Sequence, residues 1–189
     1  MTANNTQPAH NPALFNSRSV LRLPSLSFLI LTGLLSLSAC SEQMVPAGIT
    51  GYNHTKDRSL ISFTVNGAMG SNLAPESGGG KESCCVSIPK TWRPGLKATI
   101  AWQYQGGTEI PPPPPPQQKI IEIPEYKNAG RLWVHFYDNH QVKLVVSPCN
   151  IEHPYYPMSA KDKLPWVDSG TKEDVIESHN KGGDTLDCE

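Results

Sequence analysis

The sequence predicts a mainly β domain, an antiparallel β-sandwich or curled sheet with a possible short helix near the C-terminus. Glycine (15) and proline (18) are plentiful among the 189 residues and charged residues make up only 17%, which favours a turn-rich β protein over a helical bundle. Short runs of alternating apolar and polar residues recur from residue 61 onward. Turn-forming pairs such as Asn66-Gly67 separate these runs, as in β-hairpins.

The N-terminal segment, residues 1–39, has the pattern of a secretory signal peptide. It carries Arg18 and Arg22, no acidic residue, and an apolar run at residues 25–38 that is shorter than the about 20 residues needed to span a bilayer. The run ends in Leu-Ser-Ala before Cys40, which resembles the lipobox cut by lipoprotein signal peptidase. We expect cleavage before Cys40 and lipidation of its thiol; a plain signal anchor with a chance cysteine is the alternative.

The processed chain divides into three predicted parts. Residues 40–47 are expected to be a lipidated tether, residues 48–157 the β domain and residues 158–189 an acidic C-terminal extension. By resemblance to lipoprotein sorting in bacteria with two membranes, Ser41 favours an outer-membrane lipoprotein facing the periplasm. Loss of the signal leaves 14 basic and 17 acidic residues, a net charge of −3, which argues against nucleic acid as a partner.

Individual strands and one helix are predicted from periodicity. The strand patterns cover residues 61–65, 83–88, 98–104, 119–123, 132–136 and 142–146. In the first of them Ile61, Phe63 and Val65 are expected to share the apolar face. The prolines at 111–116 cannot donate hydrogen bonds to a sheet, so a polyproline II segment outside it is expected. Residues 173–179 fit about two turns of helix.

The cysteines indicate disulfides. Cys84, Cys85, Cys149 and Cys188 are an even number in a chain bound for an oxidising compartment. Because neighbouring cysteines pair only in a strained ring, the preferred interpretation bonds each of Cys84 and Cys85 to one of the other two. A vicinal Cys84–Cys85 bond, with Cys149 to Cys188 as the second bridge, is the alternative. Zinc is a poorer fit, because the two-residue spacing of structural zinc sites is missing.

No catalytic residue, metal site or cofactor is predicted. The sequence lacks a G-x-S-x-G elbow, and the glycines before Lys81 lack the rest of a Walker pattern, with Glu82 where Ser or Thr is required. His54, His135 and His153 lie on separate elements, and their spacing does not support a metal site.

The sequence motifs occur in a distinctive order. They are GYNHT at 51–55, VNG at 65–67, GGGK at 78–81, Cys84-Cys85, WRPGL at 92–96, the strand through Trp102, and residues 134–157 with His153-Pro154. Together they resemble a bacterial lipoprotein family catalogued as domain of unknown function 3304, over about 110 residues from 48 to 157.

The resemblance implies a function. Some members of the family are associated with type VI secretion phospholipase effectors as immunity proteins. This chain is therefore expected to be a membrane-anchored periplasmic immunity protein that binds and neutralises a phospholipase or lipase effector without chemistry of its own. Candidate contacts are Tyr52, His54, Trp92 and Arg93, since an exposed Trp-Arg turn has the composition of a binding hot spot. The alternatives are a structural or assembly lipoprotein of the envelope and a small envelope enzyme.

Overall fold

A computed structural model describes residues 41–106, 112–167 and 170–181. The strands are β1 (Met44–Asn53), β2 (Leu60–Val65), β3 (Ala68–Gly70), β4 (Ser77–Gly78), β5 (Ser83–Pro89), β6 (Lys97–Tyr104), β7 (Gln117–Glu122), β8 (Arg131–Tyr137) and β9 (Gln141–Ser147). The helices are α1 (Ala160–Lys163) and α2 (Lys172–Asn180). The predicted mainly β fold is confirmed. The expected signal peptide, Cys40 and Cys188 lie outside the described residues.

The strands form two sheets. Sheet A has the order β4-β1-β8-β9, with β5 also paired to β1, and sheet B has the order β3-β2-β6-β7. All pairs are antiparallel except β1 with β8, which run parallel. The longest strand, β1, therefore lies in the interior of sheet A.

One apolar core joins the two sheets. Phe136 of sheet A packs edge-on against Phe63 of sheet B, with ring centroids 5.2 Å apart, and Trp102 lies 5.6 Å from the same ring. The predicted inward face of β6 is confirmed, since its alternate residues are all buried: Ala98, Ile100, Trp102 and Tyr104. The sequence alternation thus places its apolar faces between two stacked sheets, as in a sandwich.

The predicted tether is wrong for residues 44–47. Met44 already pairs with Pro89, and Ala47 is 1% exposed in the core. Alternation is hard to see in β1 because Gly48 and Gly51 interrupt it. Close packing requires glycine at residue 51, because a Cβ there would lie 2.7 Å from Leu73 Cδ1 and 2.9 Å from Phe63 Cε1.

The predicted apolar face of residues 61–65 is wrong at its first position. Phe63 and Val65 are buried, but Ile61 is 54% exposed and Leu60 takes the inward place. The register between β2 and β6 shifts between Leu60 and Ser62. An extra residue in one strand moves the preceding side chain to the opposite face, which sequence alternation alone does not reveal.

The domain does not end at residue 157. Residues 149–166, here called the strap, fold back over the outer face of sheet A, where Ile151 and Tyr156 are buried with Trp133 and Val145. Trp166 and Met158 pack against the same cluster. The strap therefore supplies the second, smaller core of the molecule.

The structure corrects the preferred disulfide pairing. Cys84 and Cys85 are bonded to each other, which is the vicinal alternative. Cys149 is in a disulfide as well and is buried at 1% exposure. The vicinal bond lies near the start of β5, where both cysteines are exposed.

Other predictions are confirmed. The hairpin of β8 and β9 turns at Asn139 and His140, both with positive φ. Residues 112–116 stay outside the sheets, and α2 covers the predicted helix. None of the helices in the described ranges is long and apolar enough to cross a membrane.

Candidate functional site

The parallel pairing of β1 with β8 gathers aromatic side chains on the outer face of sheet A. Leu132, Val134 and Phe136 point into the sandwich core, so the residues between them point away from it. Tyr52 is the registered partner of His135. The two rings stack with centroids 5.1 Å apart and an interplanar angle of 10°.

An aromatic ring of the strap covers the rings of sheet A. Trp166 meets both Tyr52 and His54 edge-on, with centroids 4.8 Å away in each case. His54 also stacks on Tyr137 at 4.2 Å. Aromatic pairs in such geometries are worth about 0.5–1.5 kcal/mol each beyond their area burial, so the cluster fixes the strap firmly.

A chain of hydrogen bonds runs through the cluster. His54 Nδ1 lies 2.5 Å from the carbonyl oxygen of Leu164, and His54 Nε2 lies 2.9 Å from His135 Nδ1. His135 Nε2 in turn lies 2.6 Å from the hydroxyl of Tyr156. The hydrogen-bond chain therefore starts and ends on the strap and passes through His54, directly after β1, and His135 of β8.

The carbonyl at one end determines where the protons lie. A carbonyl oxygen only accepts, so His54 Nδ1 carries a proton and donates it, which leaves Nε2 of a neutral His54 as an acceptor. His135 Nδ1 must then donate to His54, and His135 Nε2 accepts from the Tyr156 hydroxyl. With both imidazoles neutral, each of their four nitrogens has one partner of the right kind.

Burial maintains this protonation state. His135 is fully buried, which lowers its pKa well below the ordinary value, and the neighbouring His54 lowers it further. Burial also lowers the pKa of His54. Desolvation raises the pKa of Tyr156, so its hydroxyl keeps the proton that it donates. The hydrogen-bond chain is thus arranged for neutral imidazole and hydroxyl groups.

Charged groups stand at the edge of the cluster. Lys143 Nζ forms an ion pair of 2.5 Å with Asp162 of α1, and the Tyr137 hydroxyl donates to the Asp162 carbonyl at 2.6 Å. Lys163 is buried and donates to the carbonyl of His153 at 3.2 Å. The first two contacts attach the strap to β9 and β8, and the third joins two parts of the strap to each other.

A separate set of hydrogen bonds holds the GYNHT segment. The Asn53 amide donates to the carbonyls of Arg58 and Ala74 at 2.7 and 2.9 Å. Its oxygen accepts from both the backbone and the hydroxyl of Thr55. Asn53 and Thr55 are therefore structural residues that fix the loop after β1, and Tyr52 and His54, which alternate with them in the sequence, face the strap.

The fold and the site geometry can be set beside known protein families. Residues 52–144 match the model of a family described as a protein of unknown function, DUF3304. The chain belongs to this family. No curated protein and no solved structure matches it.

The DUF3304 match includes one half of the hydrogen-bond chain. Tyr52, His54 and His135 lie inside the matched region, whereas Tyr156 and Leu164 lie beyond its end at residue 144. The histidines of the family domain are therefore capped by a segment outside the matched residues.

The GGGK sequence of this DUF3304 domain packs against Tyr52. Gly79 has a φ of +74°, and a Cβ there would lie 2.7 Å from the Tyr52 hydroxyl oxygen. Only glycine combines this backbone conformation with such a close approach. This run of glycines favours a flexible or left-handed turn over a phosphate loop, and Gly79 adopts the left-handed conformation.

The four predicted contact residues lie in two places. Tyr52 is 2% exposed, so in this conformation it is a core residue and not a surface contact; its position in the sequence gave no sign of the strap. His54 is half-buried beneath the strap. Trp92 is half-buried too and donates to the carbonyl of Ile123 at 3.0 Å, while the side chain of Arg93 is 57% exposed and pairs with Glu42 at 2.7 Å.

The chemistry available to the two histidines is limited by their partners. Each imidazole nitrogen is used within the chain from Leu164 to Tyr156. Within the described parts of the sequence, no three His, Cys, Asp or Glu side chains come close enough to hold a metal ion. The arrangement binds the strap to the sheet. Sequence reasoning missed Tyr156 and Leu164, since nothing in their local pattern indicates a contact with residues about 20 to 110 positions away.

Proposed function

We propose that this chain is a membrane-anchored periplasmic immunity protein that binds and neutralises a type VI secretion phospholipase or lipase effector. The observation that carries the proposal is membership of the DUF3304 family, because some lipoproteins of the family that the sequence resembles are associated with such effectors. The proposed anchor is a lipid on Cys40, and the proposed location is the periplasmic side of the outer membrane.

The N-terminal edge of the domain supports close tethering. Only residues 41–43 stand between Cys40 and β1, and two of them are already held. Glu42 pairs with Arg93, and the Gln43 carbonyl accepts from the backbone of Lys90 at 2.7 Å. A lipid on Cys40 would keep the folded domain at the bilayer surface where a lipid-degrading enzyme acts, and this raises the effective concentration of the inhibitor.

The histidine pair supports a binding role over a catalytic one. A general base needs a free nitrogen within hydrogen-bonding reach of a substrate proton. In this structure the imidazole nitrogens of His54 and His135 are hydrogen-bonded to each other and to the strap. The site therefore has the character of a rigid scaffold, which suits recognition of a protein surface.

The anchor is tested by metabolic labelling. Wild-type protein expressed with its own signal is expected to incorporate labelled palmitate and to fractionate with membranes, whereas Cys40→Ala incorporates none and becomes soluble in the periplasm. Cys149→Ala is the control for nonspecific thiol acylation and should label like the wild type. Equal labelling of wild type and Cys40→Ala would contradict the anchor.

Immunity is tested with the product of the gene beside that of this chain, which the proposal expects to be a phospholipase or lipase enzyme. Secreting that enzyme to the periplasm of a strain lacking both proteins is expected to stop growth, and adding this chain should restore it. The solubilised mature protein should also retain the same enzyme on an affinity column. A neighbouring gene product that is harmless in the periplasm would favour the structural or assembly lipoprotein instead.

A further inference from the structure

The two halves of the strap are held to the molecule to different degrees. In the first half, Ile151 is completely buried, and Cys149 is buried and in a disulfide. In the second half, residues 156–166, more than half of the residues are exposed, and the side chain of Leu164 is 60% exposed. Segments with few buried apolar contacts have the lowest free energies of local opening. The second half can therefore open while the first half stays in place.

The second half of the strap meets the sheet mainly at the histidine pair. Leu164 and Tyr156 are the two ends of the hydrogen-bond chain, and both bond to histidine nitrogens of the sheet side. Trp166 packs edge-on against the ring of His54, with centroids 4.8 Å apart. Any change of state at His54 or His135 therefore acts directly on the contacts that keep this half closed.

The hydrogen-bond chain has no place for an added proton. If His54 Nε2 takes one, His135 must move its own proton from Nδ1 to Nε2 in order to accept from His54. If His135 Nε2 takes it, that nitrogen donates to the oxygen of Tyr156 in the same way. In both cases the hydroxyl hydrogen of Tyr156 loses its acceptor in the chain. A second proton sets the N–H groups of His54 Nε2 and His135 Nδ1 against each other.

The surroundings of the pair do not neutralise the added charge. Lys143 of β9 opposes a proton on either histidine, and His54 opposes one on His135. The carboxylate that favours a proton on His54 is Asp162, which is already paired with Lys143 at 2.5 Å. The other titratable groups that face the cluster are Tyr52 of β1, Arg131 and Tyr137 of β8, and Glu152, His153, Tyr156 and Lys163 of the strap. A buried charge without a matched partner is costly, so the closed strap disfavours protonation.

We propose that residues 156–166 are an acid-released cover, which opens from the aromatic cluster of sheet A when the histidine pair takes up protons. Opening lets water solvate the charged imidazoles and gives the hydroxyl of Tyr156 water to bond to. It also uncovers Tyr52 and Trp133, each of which is 2% exposed in the closed structure. This inference goes beyond the proposed function and does not rest on it.

The direction of the pH effect follows from the two states of the strap. While the strap is closed, the pKa values of His54 and His135 are lowered, chiefly by burial. In the open form the hydrated imidazoles return toward a pKa of about 6.5, so below about pH 6.5 the open form binds more protons and is favoured. At about pH 5.5 each histidine multiplies the opening constant by about ten, and the two together by up to about a hundred.

Hydrogen exchange of the mature protein at about pH 7.5 and about pH 5.5 tests the cover, after correction for the intrinsic effect of pH on exchange. The opening constant of residues 156–166 is expected to rise by about 10- to 100-fold on acidification. It should exceed that of β6 at both pH values. It should also change little in about 1 M urea, because local opening exposes little surface.

Two results with the wild type would overturn the proposal. A corrected opening constant that is the same at both pH values would mean that protons do not release the strap. Equal opening constants for residues 156–166 and for β6 would mean that the strap leaves the sheet only when the whole domain unfolds.

Variants of the pair assign the effect to its histidines. His54→Gln and His135→Gln each remove one titrating imidazole, so each should show a rise about tenfold smaller than that of the wild type. His54 is only half-buried, so His54→Gln keeps the test available if His135→Gln does not fold. His140→Asn is the matched control: it removes a histidine from the turn between β8 and β9, where asparagine tolerates the φ of +57°, and should keep the full rise. A full rise in both variants of the pair would overturn the proposal.

A third histidine, His153, lies in the first half of the strap. Burial and the neighbouring Lys163 lower its pKa, so it also favours protonation after opening. Because it is outside the hydrogen-bond chain, His153→Gln should keep most of the rise in the opening constant. Loss of the rise in His153→Gln, with a full rise in His54→Gln, would assign the pH response to His153 and overturn the proposal.

Discussion

Asn53 holds the loop after β1 through a side chain that is completely buried and fully hydrogen-bonded. Replacing it with alanine leaves the carbonyls of Arg58 and Ala74 without this donor. We expect Asn53→Ala to lower the free energy of unfolding by about 2–4 kcal/mol, measured by urea denaturation. Asn72→Ala, at an exposed position, is the control and should change it by less than about 0.5 kcal/mol. Similar small losses in both variants would show that the loop is held by other contacts.

The histidine pair should make stability depend on pH. The pKa values of His135 and His54 are lowered in the folded state, and in the unfolded chain both return to about 6.5. Below about pH 6.5 the unfolded chain therefore binds more protons, and the free energy of unfolding falls as the pH drops toward the lowered folded values. Above about pH 6.5 both states are neutral, so this contribution is fully present.

Urea unfolding at about pH 7.5 and about pH 5.5 measures this effect. The wild type should lose stability between the two conditions, and His135→Gln, which removes the most strongly shifted imidazole, should lose less. An identical loss in both proteins would mean that other groups cause the pH dependence.

At the scale of single residues the sequence led to part of the site. Tyr52 and His54 stood out because of the GYNHT segment, but they were expected on the surface. Tyr52 is buried because β1 pairs with β8, about 80 residues away, and because the strap closes over both. Local sequence carries no information on either contact. The two side chains could therefore be singled out from the sequence, but their burial beneath the strap could not be predicted.

Among the elements, β1 owes its position to a glycine. A Cβ at residue 51 would overlap Leu73 and Phe63, so Gly51→Ala should lower the free energy of unfolding by about 1–3 kcal/mol. Gly80→Ala is the matched control, because nothing lies within 4 Å of a Cβ at that position. It should be neutral or slightly stabilising in the same thermal or urea unfolding experiment. Equal stability of the two variants would contradict the close packing of β1 against β2.

The strap depends on Trp166, whose ring contacts Tyr52 and His54. We expect Trp166→Ala to reduce stability by about 2–4 kcal/mol. It should also speed hydrogen exchange at residues 149–166. The adjacent Val167→Ala, at a side chain that is 76% exposed, should change stability by less than about 0.5 kcal/mol. Unchanged exchange in Trp166→Ala would show that the strap does not rely on this ring.

Elements with clear periodicity were predicted well, and those without it were missed. In β6, β8 and β9 alternate side chains point into the sandwich core. The sequence pattern predicted all three strands at the positions where the structure has them. β1 was missed because both faces of its second half, residues 49–53, are buried and glycines replace apolar residues. Residues 158–166 of the strap were assigned to the acidic extension, because irregular segments have no periodic pattern to read.

For the whole molecule, the sandwich class followed from composition and alternation, and the topology did not. The parallel pair β1–β8 and the division into two sheets depend on contacts far apart in sequence. The two outer faces could not be distinguished either, because that difference arises from where the strap lies. The vicinal Cys84–Cys85 bond was named only as the alternative, since adjacency alone favoured distant partners.

The interior position of β1 has a consequence for biogenesis. Ile49 pairs with Leu132, so the first strand of the domain to be synthesised has no parallel neighbour until more than 80 further residues have followed. Folding cannot proceed from one end of the chain to the other, and its high contact order predicts refolding in about milliseconds to seconds, slower than for helical proteins. Stopped-flow dilution from urea would measure that rate. Until β8 joins, the edge of β1 that pairs with β8 stays open, and open strand edges make a folding chain prone to aggregation.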